Sequence, residues 1–221
     1  MKLFKAFFTL LGVFCLILAV YAVFYDEIRK FLYPLSYEVE ISAAAEAYGI
    51  PPEKLHAVVK AESNYNAKAV SRVGARGLMQ LMGETAEDMA KRHGEEFDEE
   101  KDLGKLFDVE TNLRYGASYL QKLYRIYGDW TVVHAAYNAG PGNVNKWLED
   151  RAFSPDGKTL ENVPFGETSK YLEKIAKYEK IYKELYFSTE SEDKADAREQ
   201  SERKGARRIE SSVQKRIALQ S

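Results

Sequence analysis

The chain has 221 residues, of which 45% are hydrophobic, 30% charged and 13% aromatic, and its net charge is −2. This is the composition of an ordinary globular protein, and it excludes a fully disordered, collagen-like or multi-pass membrane chain. The near-neutral charge gives no indication of nucleic-acid binding, and the single cysteine, Cys15, excludes a disulfide framework.

The first element in chain order is an apolar run. Residues 6–25 contain no charged side chain, and as a helix they would span about 30 Å, the thickness of a bilayer's hydrocarbon core. Lys2 and Lys5 precede the run. By the positive-inside tendency, this predicts a single-pass membrane anchor with residues 1–5 in the cytoplasm and the rest of the chain on the extracytoplasmic side.

Two other interpretations of the apolar run stay open. The small residues around Ala22 could mark a signal-peptide cleavage site, which would make the protein secreted. A lipoprotein signal ending at Cys15 is the second alternative, and the bulky Phe14 before that cysteine disfavours it.

Beyond the run, the pattern is helical. A short stalk is expected over 26–36 and a folded domain over 37–187. Helices are predicted over 36–48, 53–63, 84–93, 113–127, 129–139, 141–147 and 167–185. No alternating run is long enough to be a strand, so the expected fold class is all-α.

The C-terminal segment 188–221 has a different composition. Fifteen of its 34 residues are charged and none is aromatic, so it cannot bury enough apolar surface to fold alone. Ile209, Val213 and Ile217 nevertheless recur at helical spacing among basic residues. A solvated, disordered tail is the default interpretation; contact with anionic lipid or wall polymer is the alternative.

Three segments carry candidate chemistry. In 58–64 an acidic residue ends an apolar helix, in 74–82 two glycines precede an apolar run with one amide, and in 135–142 a polar pair precedes a Gly-Pro-Gly turn. These segments resemble the E-S, G-L-M-Q and A-Y-N signatures of the lytic transglycosylase family, whose Slt-like catalytic domain has a lysozyme-like fold. Segments 112–116 and 164–171 resemble the family's N-L-x-x-G and E-T-x-x-Y elements.

The resemblance implies a reaction on peptidoglycan. Family members cleave the β-1,4 bond between N-acetylmuramic acid (MurNAc) and N-acetylglucosamine (GlcNAc), and the 6-hydroxyl of the muramic acid closes onto C1 as a 1,6-anhydro ring. An ordinary glycosidase needs two carboxylates, but an internal hydroxyl at high effective concentration removes the need for the second. Glu62 matches the catalytic position and would act first as acid and then as base. Its apolar helix would raise its pKa toward neutrality.

The resemblance also implies the walls of a glycan-binding cleft. Its candidate residues are Ser63, Ser71, Met79 and Gln80 beside Glu62, Tyr137 and Asn138 facing Glu62, and Glu167 and Tyr171 on the far side. For all of these except Tyr137 and Asn138 a purely structural role is an alternative, and Met79 also fits a core position. Because the three histidines have no ligand-like spacing, neither a metal nor another cofactor is expected.

Two alternatives to this function stay open. One is a hydrolase related to the goose-type lysozymes, which would take a second carboxylate from the acid-rich stretch 94–108. The acids of that stretch are Glu95, Glu96, Asp98, Glu99, Glu100 and Asp102. The other alternative is a wall-binding scaffold without catalysis, which the presence of Glu62 with Tyr137 and Asn138 disfavours.

Overall fold

The computed structural model describes residues 2–164 and 166–188. Within them the α-helices are α1 Lys2–Leu32, α2 Glu38–Tyr48, α3 Pro52–Ser63, α4 Gly83–Arg92, α5 Val109–Tyr127, α6 Trp130–Ala139, α7 Pro141–Glu149 and α8 Gly166–Tyr182. A 3₁₀ helix, Leu103–Phe107, precedes α5, and a π-helical turn, Lys183–Phe187, follows α8. No strand occurs in the described ranges, which contain two isolated bridges, so the predicted all-α class is confirmed.

The expected C-terminal tail falls outside this description from Thr189 onward, as does its helical pattern at Ile209, Val213 and Ile217. Phe165, within the segment that resembles E-T-x-x-Y, also lies outside it.

Local chemistry accounts for most helix ends. Gly49 ends α2 with φ 63°, a conformation that costs glycine little. The Asp129 carboxylate accepts a hydrogen bond from the Val132 N–H at 2.9 Å and so caps α6. The sequence did not predict the 3₁₀ helix, because five residues are too few to show a helical period in hydrophobicity. Tyr124 of α5 is 40% exposed and stacks on Trp130 at the start of α6.

The core lies between α3, α5, α6 and α8. Its fully buried large side chains include Leu55, Leu78, Met79, Leu113, Leu120 and Ile175. Because α3 and α8 pack against each other, side chains at the end of α3 face the first turns of α8. This packing creates the candidate site.

Helix α1 is long and apolar enough to cross a bilayer over Ala6–Leu32, the one such helix among the described residues. It continues without a break through most of the expected stalk. At its end the Lys60 ammonium donates to the Leu32 carbonyl at 3.0 Å, and the Tyr33 ring lies 5.8 Å from that of Tyr178. The end of α1 therefore contacts the two helices, α3 and α8, that form the core of the domain.

Candidate active site

Glu62 lies in the last turn of α3, and the chain turns sharply just beyond it. Asn64 and Tyr65 both have positive φ, 52° and 63°, which is uncommon for residues other than glycine. The Tyr65 hydroxyl lies 2.9 Å from Nδ1 of the buried His56. Two strained residues held by a buried contact are typical of a functional site, and here they end the helix at Ser63, one residue after Glu62.

The Glu62 carboxyl lies in surroundings that favour its neutral form. Burial raises the pKa of Glu62 to about 7, against the opposing effects of the Tyr171 hydrogen bond and the Lys174 charge. The Tyr171 hydroxyl donates to Glu62 Oε1 at 2.8 Å. A carboxyl that titrates near neutral pH can both donate and accept a proton under ordinary conditions.

Two tyrosine hydroxyls flank this carboxyl. The pKa values of Tyr137 and Tyr171 are raised well above the ordinary tyrosine range, by burial first and then by the negative charge of Glu62. Both hydroxyls therefore stay protonated and act as hydrogen-bond donors. That of Tyr137 donates to the Met79 carbonyl at 2.7 Å, so Tyr137 joins α6 to the segment that contains Met79.

The segment 69–82 is held by hydrogen bonds to one side chain of α5. The Asn112 side chain accepts a hydrogen bond from the Met79 N–H at 2.8 Å, and it donates to the carbonyls of Arg76 at 3.0 Å and Leu106 at 2.9 Å. Gly77 has φ 79°, and a Cβ there would collide with the Asn112 amide and the Leu106 carbonyl. The segments that resemble G-L-M-Q and N-L-x-x-G thus form one packed unit.

Comparison with known proteins assigns this chain to a family. The family model described as Transglycosylase SLT domain matches residues 40–159, more than half of the chain. The chain belongs to this family. Over 153 residues it is 37% identical to the soluble lytic murein transglycosylase of Escherichia coli K12, covering 68% of this chain and 23% of that protein. The chain thus spans about a quarter of the length of that relative.

The SLT domain of this chain is also similar to solved structures. It matches the soluble lytic transglycosylase SLT70 of E. coli with a TM-score of 0.63 and 34% identity, covering 71% of this chain and 25% of that one. Slt of Pseudomonas aeruginosa, solved as an inactive mutant in which glutamine replaces a glutamate, matches with a TM-score of 0.62 and 28% identity, covering 72% and 26%. Membrane-bound lytic murein transglycosylase C of Pectobacterium atrosepticum is 33% identical over 164 residues, covering 65% of this chain and 45% of that protein.

In this SLT domain most of the predicted polar residues of the 63–80 region make local hydrogen bonds. The Ser63 hydroxyl donates to the Leu78 carbonyl at 2.8 Å, the Ser71 hydroxyl accepts from the Ala75 N–H at 3.0 Å, and the Gln80 amide donates to the Gly77 carbonyl at 3.0 Å. All three side chains remain partly exposed, so each retains capacity for a further contact.

Met79 occupies the core position that the sequence also allowed. The Met79 side chain is 0% exposed and packs against Gly116, where a Cβ would collide with its sulfur, so its carbonyl is what reaches the site. The hydroxyl that contacts Glu62 belongs to Tyr171, while that of Tyr137, which the resemblance places facing Glu62, donates to the Met79 carbonyl.

The remaining predicted residues lie where α6 meets α8. The Asn138 amide oxygen accepts a hydrogen bond from the hydroxyl of the buried Thr168 at 2.9 Å. Glu167 is exposed in the first turn of α8. Thr168 thereby fixes the start of α8 to the end of α6, next to the site.

Lys174 is a site residue that sequence reasoning missed. Its ammonium donates to the Ala61 carbonyl at 2.7 Å, and its charge opposes the pKa rise of Glu62. The available signal was its spacing: Lys174 follows Tyr171 by three residues and so lies on the same face of α8.

The acid-rich stretch 94–108 has its own partners. Both carboxylate oxygens of Glu95 bind Arg114, and the Tyr115 hydroxyl donates to Glu95 at 2.7 Å. Asp98 pairs with Lys101 at 2.6 Å. In the described part of the chain, no group of three or more histidine, cysteine, aspartate or glutamate residues is arranged to hold a metal ion.

Proposed function

We propose that this chain is a membrane-anchored peptidoglycan lytic transglycosylase. It cleaves the β-1,4 MurNAc–GlcNAc bond and leaves a 1,6-anhydroMurNAc end, with Glu62 as its one catalytic carboxyl. Family membership supports the substrate class, since the named relatives are lytic murein transglycosylases. A third structural neighbour, 32% identical with a TM-score of 0.63, is a soluble lytic transglycosylase in complex with bulgecin A; it covers 73% of this chain and 26% of that one.

The observation that carries the single-glutamate mechanism is the electrostatic environment of Glu62. Retaining two-carboxylate glycosidases place their acids about 5–5.5 Å apart, a distance at which each raises the pKa of the other. Among the described residues, burial, Tyr171 and Lys174 account for the pKa shift of Glu62, and no second carboxylate contributes. Glu95, offered by the hydrolase alternative, is bound instead by Arg114, which holds its pKa at about 2.

In this proposal the reaction takes two proton transfers. The neutral Glu62 carboxyl donates its proton to the glycosidic oxygen as the C1–O bond breaks, and the sugar ring becomes positively charged. The Glu62 carboxylate then takes the proton of the 6-hydroxyl as that oxygen bonds to C1. The acid is thereby regenerated, and no water is consumed.

The neighbouring residues have supporting roles in this proposal. Tyr171 orients the carboxyl through its 2.8 Å hydrogen bond. Ser63, Ser71 and Gln80 offer polar contacts to the glycan from the loop side; Tyr137, Asn138 and Glu167 line the opposite side. Met79 contributes by holding Tyr137 with its carbonyl.

The test is the chemistry of the products. The full chain in detergent is incubated with purified peptidoglycan in isotope-labelled water, and the soluble fragments are weighed by mass spectrometry. We expect fragments one water lighter than hydrolysed ones and free of the label. Fragments that carry the label and a reducing end would instead establish a hydrolase of the goose-type lysozyme kind. Binding to peptidoglycan without release of fragments would establish a wall-binding scaffold.

The anchor is a separate part of the proposal. Helix α1 supports it by length and composition, and a membrane-bound relative is consistent with it. We expect the chain to stay in the membrane at its full mass after a carbonate wash, which tests the anchor. We also expect protease added outside the cytoplasmic membrane to digest the SLT domain, which tests its side of the membrane. A shorter soluble form beginning near Val23 would favour the cleaved signal peptide.

A further inference from the structure

The end of α1 and the end of α8 lie side by side. The Arg29 guanidinium of α1 contacts the Glu184 carboxylate at 2.5 Å, and four residues further along the chain, just past the end of α1, the Tyr33 ring lies near that of Tyr178. The residue numbers rise from 29 to 33 on the first segment while those of their partners fall from 184 to 178, so the two segments are antiparallel. If α1 crosses the membrane, as proposed above, the C-terminal end of α8 therefore points toward the bilayer surface.

A groove of about 440 Å³ runs between these two segments. On α1 its lining begins at Tyr21 and Tyr25, inside the apolar run, and it continues past the end of that run to Leu32 and the next residue, Tyr33. Twelve residues of helix cover roughly 18 Å, so the groove extends from within the apolar zone into the charged zone beyond it. Tyrosine at this level is typical of the membrane–water interface.

The charges of the groove are mostly positive. Arg29, Lys177 and Lys180 line it against one acid, Glu184. Glu184 is bound by Arg29, and Lys180 lies 3.8 Å from it while remaining 77% exposed. Lys177 is exposed and forms no ion pair within the described residues. The two lysines therefore present positive charge directly beside an apolar helix.

We propose that this groove binds an anionic phospholipid of the membrane that α1 crosses. The headgroup phosphate contacts Lys177 and Lys180, and the acyl chains lie along the apolar side chains of α1 near Tyr21. A phospholipid matches both parts of the lining, since it joins a phosphate to apolar chains at the level where the helix leaves the bilayer. A free anion would use only the two lysines.

The consequence of lipid binding is positional. Tyr171 precedes Glu184 by thirteen residues on the same continuous helical segment, roughly 20 Å along the axis. A lipid bound beside Lys180 would hold α8 at the membrane surface and keep the Glu62 site at this distance from the groove's end. The enzyme would then act on glycan strands close to the membrane.

Native mass spectrometry of the full chain in neutral detergent tests the proposal. Phosphatidylglycerol and phosphatidylcholine of equal chain length are titrated separately, and bound lipid is counted. We expect the wild type to prefer phosphatidylglycerol and the K177Q/K180Q double variant to bind it about 10-fold more weakly, given the attraction of each basic side chain for anionic lipid. The matched control, K91Q/K101Q, removes the same charge from exposed lysines outside the groove and should bind like the wild type.

Several results would overturn the lipid site. These are equal binding of the two lipids by the wild type, equal loss in the control variant, or displacement of phosphatidylglycerol by inorganic phosphate at millimolar concentration, which would indicate a general anion site. Carbonate extraction of membranes tests the anchor separately. A chain that remains in the membrane but shows no lipid preference would contradict this inference and leave the proposed anchor intact.

Discussion

Two glutamates of this chain each accept a hydrogen bond from a tyrosine, yet their pKa values are shifted in opposite directions. Glu62 accepts from Tyr171 at 2.8 Å and has its pKa raised to about 7. Glu95 accepts from Tyr115 at 2.7 Å and has its pKa lowered to about 2. The tyrosine is common to both, so it does not decide the acidity.

The difference comes from burial and from the position of the nearest cation. Glu62 is half-buried where α3 packs against α8, and the Lys174 ammonium donates a hydrogen bond to the Ala61 carbonyl rather than to the carboxylate. Glu95 is exposed, and both of its oxygens are bound by Arg114. A desolvated carboxyl with no directly bound cation is fit to carry a proton, whereas a carboxylate bound by arginine is fit to hold a loop in place.

The largest effect expected from this comparison is on catalysis. Glu62→Gln should lower the rate of peptidoglycan cleavage about 1,000-fold or more, because the amide can neither donate nor accept the reacting proton. The release of soluble fragments from purified peptidoglycan measures it. The matched variant Glu95→Gln should keep activity within a few-fold of the wild type; comparable losses in both would mean that Glu95 shares the chemistry.

The second effect is on stability. A carboxyl whose pKa is raised from 4.5 unfolded to about 7 folded contributes stability below pH 4.5, and that contribution is lost as the pH rises through 7. At pH 8 the free energy of unfolding of Glu62→Gln should therefore exceed that of the wild type by on the order of 2 kcal/mol, and its unfolding temperature should be higher. Both differences should shrink toward pH 4. Thermal unfolding followed by circular dichroism at several pH values measures it. No change in the difference with pH would show that Glu62 is not desolvated.

The third effect separates the two tyrosines. Tyr171→Phe removes a hydrogen bond that lowers the pKa of Glu62, so the pH above which activity falls should move upward. The maximal rate should drop about 10-fold, because the carboxyl is less well oriented. The pH–rate profile of the purified variant measures both changes.

Tyr115→Phe is its matched control, since it removes the hydroxyl beside Glu95. It should leave the pH–rate profile where it was. An unchanged profile in Tyr171→Phe as well would refute the role given to the 2.8 Å contact.

The smallest effect concerns Glu95. Its lowered pKa stabilises the fold at neutral pH, and that contribution is lost as the pH falls toward 2. Because the pair with Arg114 is exposed, Glu95→Gln should cost less than about 1 kcal/mol at pH 7. Urea unfolding at low and high salt checks this, since salt should weaken the wild type toward the variant. A larger, salt-independent loss would mean that the carboxylate is buried.

The sequence alone was sufficient for the helical fold and for the position of Glu62. Helical periods, Gly49 at the end of α2 and Asp129 at the start of α6 act within a few residues of each other, so they can be read from the printed chain. The family signatures are equally local, and they identified the SLT domain before any contact was known. The apolar run 6–25 was visible for the same reason.

The tertiary structure alone decided which groups meet. Glu62 and Tyr171 are 109 residues apart in sequence, and no local pattern shows that Tyr171, not Tyr137, contacts the carboxyl. The burial of Met79 and the proximity of Lys174 also depend on how α3, α5 and α8 pack. The pKa of Glu62 follows from that packing, because desolvation is a property of everything around a side chain. The sequence therefore determined where Glu62 lies and indicated the direction of its pKa shift, and the packing of distant helices decided the desolvation that raises this pKa to about 7.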